Sequence, residues 1–267
     1  MDSSAMKALS RVVTGALLVG ATFSSAAAQL PPPPTLPPNA AGLEVLRQVH
    51  SRYADTRFRT LTFTQRTTFP DGRIEWWYEA ESIPGKARVD VAPFSNRTAQ
   101  IFRNDSAYVF QNGELARRSA GLAATMWTLM DMYRVPPEET AAALGRRGFD
   151  LTKVHEREHN GRPVIVVGAL AGDTTSAQFW LDKENLYTVR MTTSRGGHRV
   201  TEVGKHVFMG GGWVEQEIKV YGPNHQLNLL EEYFDVRVNV ELPATLFDGD
   251  MYRTPPWTET RPAGLRR

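Results

Sequence analysis

The sequence predicts a mainly β (α+β) protein, a curled antiparallel half-barrel of about eleven strands with a helical lid or plug over its apolar concave face. Three observations carry this. Runs of alternating apolar and polar residues recur at hairpin spacing through most of the chain. Turn formers separate them, among them Pro70-Asp71-Gly72, Pro84-Gly85, Asn112-Gly113 and Gly210-Gly211-Gly212. Two segments replace the strand period with a helical one. So many strands cannot lie flat, and the helices need the concave face to bury their apolar stripes.

Lys7 and Arg11 precede the apolar residues 12–23, and Ala26-Ala27-Ala28 then fits a cleavage site before Gln29. Residues 1–28 therefore read as a signal peptide, too short for a comfortable membrane span. Residues 29–39 are proline-rich, a semi-rigid spacer. The folded domain is expected over residues 40–247, with a loose tail over 248–267.

A helix is expected over residues 40–53, because Leu43, Leu46, Val49 and Tyr53 recur at its period. Strands follow at residues 61–69, 74–83, 87–91, 106–111 and 114–118. In the second of these, Ile74, Trp76, Tyr78 and Ala80 share a face, with Glu75, Trp77, Glu79 and Glu81 opposite. Residues 122–133 turn helical, with Leu122, Met126, Leu129, Met130 and Tyr133 on one side. Pro136-Pro137-Glu138-Glu139 suits a second helix start, since proline and acidic residues favour a first turn. Strands resume at 151–158, 164–169, 177–182, 187–193, 199–208, 213–221 and 227–238.

The chemical candidates are few. The formal net charge is +2, and +1 once Asp2, Lys7 and Arg11 are removed, so nothing electrostatic favours nucleic acid. There is no cysteine, which excludes disulfides, thiolate metal sites, a cysteine nucleophile and lipidation at cysteine. His155 and His159 fall near a strand end and a turn, where they would not converge on a metal. The pairs Glu79 and Glu81, or Glu231 and Glu232, read as solvated strand faces. No nucleophile motif is present. No metal or cofactor is expected. The Met- and Trp-rich helix is the most suggestive element, because methionine side chains repack around varied apolar partners.

The chain resembles the LolA/LolB-like superfamily of periplasmic lipoprotein carriers. The residues that carry this stand in order. Leu61-Thr62-Phe63-Thr64-Gln65 is similar to the family's first strand. Trp77-Tyr78-Glu79-Ala80 leads into Pro84-Gly85-Lys86-Ala87-Arg88-Val89, similar to its second strand and turn. Phe179-Trp180-Leu181-Asp182-Lys183-Glu184 resembles an aromatic–Asp hairpin of its second half, and Leu242-Pro243 with Leu246-Phe247 its ending. The resemblance implies a half-barrel closed by helices over a cavity for lipid or acyl chains. The Met/Trp helix and the Pro136-Pro137 segment are longer than it implies.

The expected function is a periplasmic binding or carrier protein, not an enzyme, for a hydrophobic ligand such as lipid or lipoprotein acyl chains. Its partners would be lipid or acylated protein, with envelope membrane proteins as donor and acceptor, and a monomer is favoured. The alternative is an envelope sensor or protein-interaction domain on the same fold. By alternation, the cavity residues are Phe63, Trp76, Tyr78, Val89, Phe179 and Leu181, capped by Met126, Leu129, Met130 and Tyr133. A register error of one residue would bring in Trp77 and Trp180 instead.

Overall fold

The computed structural model describes residues 40–121, 123–194 and 197–257. The predicted signal peptide and spacer, Leu122 of the predicted helix and the last ten residues of the predicted tail lie outside the described residues.

Helix α1 (Ala41–Tyr53) buries Leu43, Leu46, Val49 and Tyr53 as its periodicity predicts. Gly42 lies against β7 (Asp150–His159), where a Cβ would sit 2.6 Å from the Leu151 carbonyl oxygen. Only glycine allows this helix and strand to approach so closely. Helix α2 (Pro137–Arg146) begins on the proline and acidic residues that predict it.

Among the described residues thirteen strands form one open antiparallel sheet, and two more form a separate hairpin. The first half contributes β1 (Thr60–Thr68), β2 (Ile74–Ser82), β3 (Lys86–Val91), β4 (Thr98–Arg103), β5 (Ser106–Gln111) and β6 (Glu114–Ala120). The second half contributes β7, β8 (Arg162–Gly168), β9 (Gln178–Asp182), β10 (Thr188–Thr193), β11 (Arg199–Gly204), β14 (Glu217–Tyr221) and β15 (Leu227–Val238). The order is β6-β5-β4-β3-β2-β1-β15-β14-β11-β10-β9-β8-β7. The two halves are thus meanders joined where β1 pairs with β15. The sheet is a half-barrel with helices over its inner face, as predicted.

The described residues hold fifteen strands, against about eleven expected. Strand β4 lay undetected between two recognised hairpins. The runs 199–208 and 213–221 are each broken, so that β12 (Val207–Met209) and β13 (Gly212–Val214) peel away as the two-stranded hairpin. Its turn needs glycine: Gly211 has φ +77°, and a Cβ there would lie 2.0 Å from the Thr56 carbonyl oxygen.

The segment after Gly121 is not a regular helix. Met126–Met130 forms a π-helical turn and Asp131–Tyr133 a 3-10 turn. Wide turns of this kind accommodate side chains that a regular helix would stagger away from one surface. All eight residues are buried. This plug packs with α1, α2 and the inner sheet face in one continuous apolar core.

Part of the C-terminal segment packs on the sheet. Tyr252 and Trp257 pack with Leu246 and Phe247 on the outer face of β2, β4 and β5, over Ala80, Ala99, Ile101, Tyr108 and Phe110. Beneath them Arg88 and Asp90 form a fully buried ion pair, with Nε–Oδ2 2.7 Å and Nη2–Oδ1 2.8 Å. The same guanidinium donates to the Leu246 and Arg253 carbonyls at 3.1 and 2.5 Å. Burial pushes the Asp90 carboxyl up, and the hydrogen bonds and charge of Arg88 pull it back.

Candidate functional site

Strand pairing decides which residues face the plug. Ala87, Val89 and Val91 belong to the inner core. Across β2–β3 they stand opposite Glu81, Glu79 and Trp77. Across β1–β2, Leu61 and Phe63 stand opposite Glu81 and Glu79. The inner row of β2 is therefore Trp77, Glu79 and Glu81.

This overturns the assignment of Trp76 and Tyr78 to the cavity. Both are on the outer face: Tyr78 meets the ring of Phe94 edge-on at 4.9 Å, and Trp76 lies 6.0 Å from Phe234. It also overturns Glu79 and Glu231 as solvated, both being buried, while Glu81 is half-buried. β2 carries aromatic residues in both rows, so alternation alone does not say which is inner. On β9 the alternation reads correctly: Phe179 and Leu181 are inside, and Trp180 lies outside with Val164 and Val166.

Between plug and sheet lies a cavity of about 40 Å³. The plug side contributes Thr125, Met126, Leu129 and Met130; the sheet side contributes Gln65, Glu79, Glu81, Thr201, Ile218, Val220, Glu231 and Tyr233, with Ile218 directly opposite Glu231, and Glu215 comes from the link between β13 and β14. Of the predicted cavity residues, Met126, Leu129 and Met130 line it. Phe63, Val89, Tyr133, Phe179 and Leu181 are in the surrounding core but do not border this space. Sequence reading missed the acidic residues. The turn at Pro84-Gly85 holds the signal, because it sets the register that puts Glu79 beside Val89.

The carboxyls are perturbed by this setting. Burial pushes Glu231 up to about 8, with repulsion from Glu215 adding to it, while the Tyr233 hydroxyl, donating at 3.1 Å, acts the other way. Burial likewise raises Glu81 to about 8, again with repulsion from Glu215. Glu79 stands well above the usual carboxylate range for the same reason, and Glu231 adds repulsion. Burial raises Glu215 too. Tyr233, stacked on Phe63 at 4.2 Å, is pushed well above an ordinary phenol by burial and then by Glu231.

The plug is fastened at its lower end. Arg57 donates to the Leu129 carbonyl at 3.0 Å and to the Trp213 carbonyl at 2.9 Å, and its guanidinium lies 4.1 Å over Tyr133. The Thr188 hydroxyl donates to the Thr128 carbonyl at 2.6 Å, and the Gly85 amide to Asp131 at 2.9 Å. Among the described residues no cluster of three His, Asp or Glu is placed to hold a metal ion. His155 bonds the Ala169 carbonyl, and His159 packs edge-on to Trp180.

The sequence matches no protein-family model and no curated protein. Solved structures share the fold. A DUF1329 family protein from Desulfovibrio piger superposes with TM-score 0.53 at 14% identity, over 82% of this chain and 100% of that one. An outer membrane lipoprotein-sorting protein domain from Vibrio parahaemolyticus, named by assignment, gives TM-score 0.51 at 12% identity, over 78% and 96%. A LolA superfamily protein from Nitrosomonas europaea gives 0.48 at 13%, over 79% and 98%. The first two likenesses show a LolA-like fold.

Proposed function

We propose that this chain is a non-enzymatic, periplasmic binding or carrier protein, exported by cleavage after Ala28, that holds the apolar chain of an amphiphile between the half-barrel and its plug. Its partners would be lipid or acylated protein, received from and delivered to envelope membrane proteins. The observation that carries the reading is the Met-rich π-helical plug, whose Met126, Leu129 and Met130 line a cavity against the inner face of the sheet. The likeness to a lipoprotein-sorting domain supports it at the level of fold.

The cavity of about 40 Å³ has room for only a few waters, far below the ~300–1,000 Å³ of small-molecule sites. A ligand must therefore displace the plug. A twelve-carbon chain leaving water gains roughly 9 kcal/mol at ~0.8 kcal/mol per methylene. That is enough to exchange methionine contacts for ligand contacts, because Met side chains repack readily.

Met130→Asp places a charge where the chain would lie. It is expected to lower uptake of a fluorescent fatty-acid probe more than tenfold, and the milder Met130→Gln severalfold. Wild-type uptake by a normally folded Met130→Asp protein would remove the plug from the binding site.

A further inference from the structure

An acyl-chain site needs no acid, yet this cavity has four glutamates in its lining. Glu79 and Glu231 are only 6% and 4% exposed. Among the described residues the buried Glu231 Oε1 atom makes no hydrogen bond of normal geometry, although the Gln65 side chain acts on the same carboxyl. The Thr125 hydroxyl, on the plug side of the same space, is also buried and makes no hydrogen bond among the described residues. Buried polar groups are ordinarily satisfied, and an unsatisfied one costs about 1–3 kcal/mol. Arg57 is the cation closest in influence to Glu81 and Glu215, and its terminal nitrogens are engaged by the Trp213 and Leu129 carbonyls.

We propose that the acidic lining receives the primary ammonium of a single-chain cationic amphiphile whose alkyl chain lies against Met126, Leu129, Met130, Ile218 and Val220. This rests on the carrier reading and names the ligand class. An ammonium presents three N–H donors in different directions, which suits acceptors on three separate segments: β2, the link between β13 and β14, and β15. A metal ion would need its ligands drawn together, and they are not. A fatty-acid carboxylate or a phosphate brings no N–H donors and, by its charge, opposes ionisation of every carboxyl in the lining.

Protonation supports the same assignment. Held at about 8 by burial, the Glu81 and Glu231 carboxyls retain their protons at neutral pH. The groups facing them are Glu79, Glu215, Tyr233 and Gln65, with Arg57 and Asp131 at the plug end. An arriving ammonium keeps its own protons, and a carboxyl beside it ionises and releases one to solvent.

The experiment is titration calorimetry of the mature protein with dodecylamine, dodecanol and laurate below their micelle concentrations at pH 7, in two buffers of different ionisation enthalpy. Dodecylamine is expected to bind at least tenfold tighter than dodecanol, releasing about one proton, with laurate weakest. Glu231→Gln and Glu79→Gln are each expected to bring the amine-to-alcohol ratio to within about threefold. Equal binding of amine and alcohol by the wild type, or a ratio that survives both substitutions, would overturn the cationic ligand and leave an apolar carrier. No binding of any of the three would overturn the carrier reading as well.

Discussion

Replacing Glu231 by Gln is expected to stabilise the protein at alkaline pH and to leave it nearly unchanged in acid. The folded state holds the Glu231 proton up to about pH 8, against an ordinary value of 4.5. The unfolded chain loses it above pH ~4.5, so between these limits the wild type loses about 1.36 kcal/mol per pH unit from this group alone. Below pH ~4.5 both states are protonated and the penalty vanishes. Gln keeps the shape and can still accept from Tyr233, but it never ionises. At pH 8.5 the variant should gain a few kcal/mol, a rise in Tm of roughly 5–10 °C for a chain of this size. At pH 5 the two melting curves should nearly coincide. His206 works in the opposite direction, burial depressing it to about 4, so acid destabilises both proteins alike and the difference isolates Glu231. An equal Tm change at both pH values would mean that Glu231 is not held protonated inside the barrel.

Asp90→Asn should do the most damage of any conservative change. It leaves the Arg88 guanidinium fully buried without its anion. Breaking one side of a buried pair costs about 3–5 kcal/mol, which lowers Tm by about 10 °C. Because Arg88 also holds the Leu246 and Arg253 carbonyls, the C-terminal segment should loosen with it. Limited proteolysis should cut the variant between Phe247 and Trp257 at concentrations that spare the wild type. A thermally normal Asp90→Asn protein with a protected C-terminus would contradict this role.

Much of the frame was readable from residues. Turn formers at hairpin spacing located most strands, and Pro137 with Glu138 and Glu139 marked the start of α2. The plug was recognised by its apolar run, but not its π-helical turn, which depends on what the side chains meet across the core. The inner row of β2 was misread because Trp76 and Tyr78 look like a core row; Tyr78 is in fact buried, but against Phe94 on the outer face. There the C-terminal segment covers neighbouring strands, and nothing local in 248–257 announces that a sheet lies beneath it. A sheet buried on both faces carries two apolar rows, and alternation then cannot tell them apart. The acidic lining was hidden by the same ambiguity, since glutamate in a strand ordinarily faces water.

The central claim is that the space between plug and half-barrel holds an amphiphile's chain. Native mass spectrometry of the protein purified from cells that make it, followed by solvent extraction, tests it most directly. A reproducible adduct whose extract contains a long-chain amphiphile, lost in Met130→Asp, is the predicted result. A clean ligand-free mass, together with no uptake of the fluorescent fatty-acid probe or of dodecylamine, would contradict it.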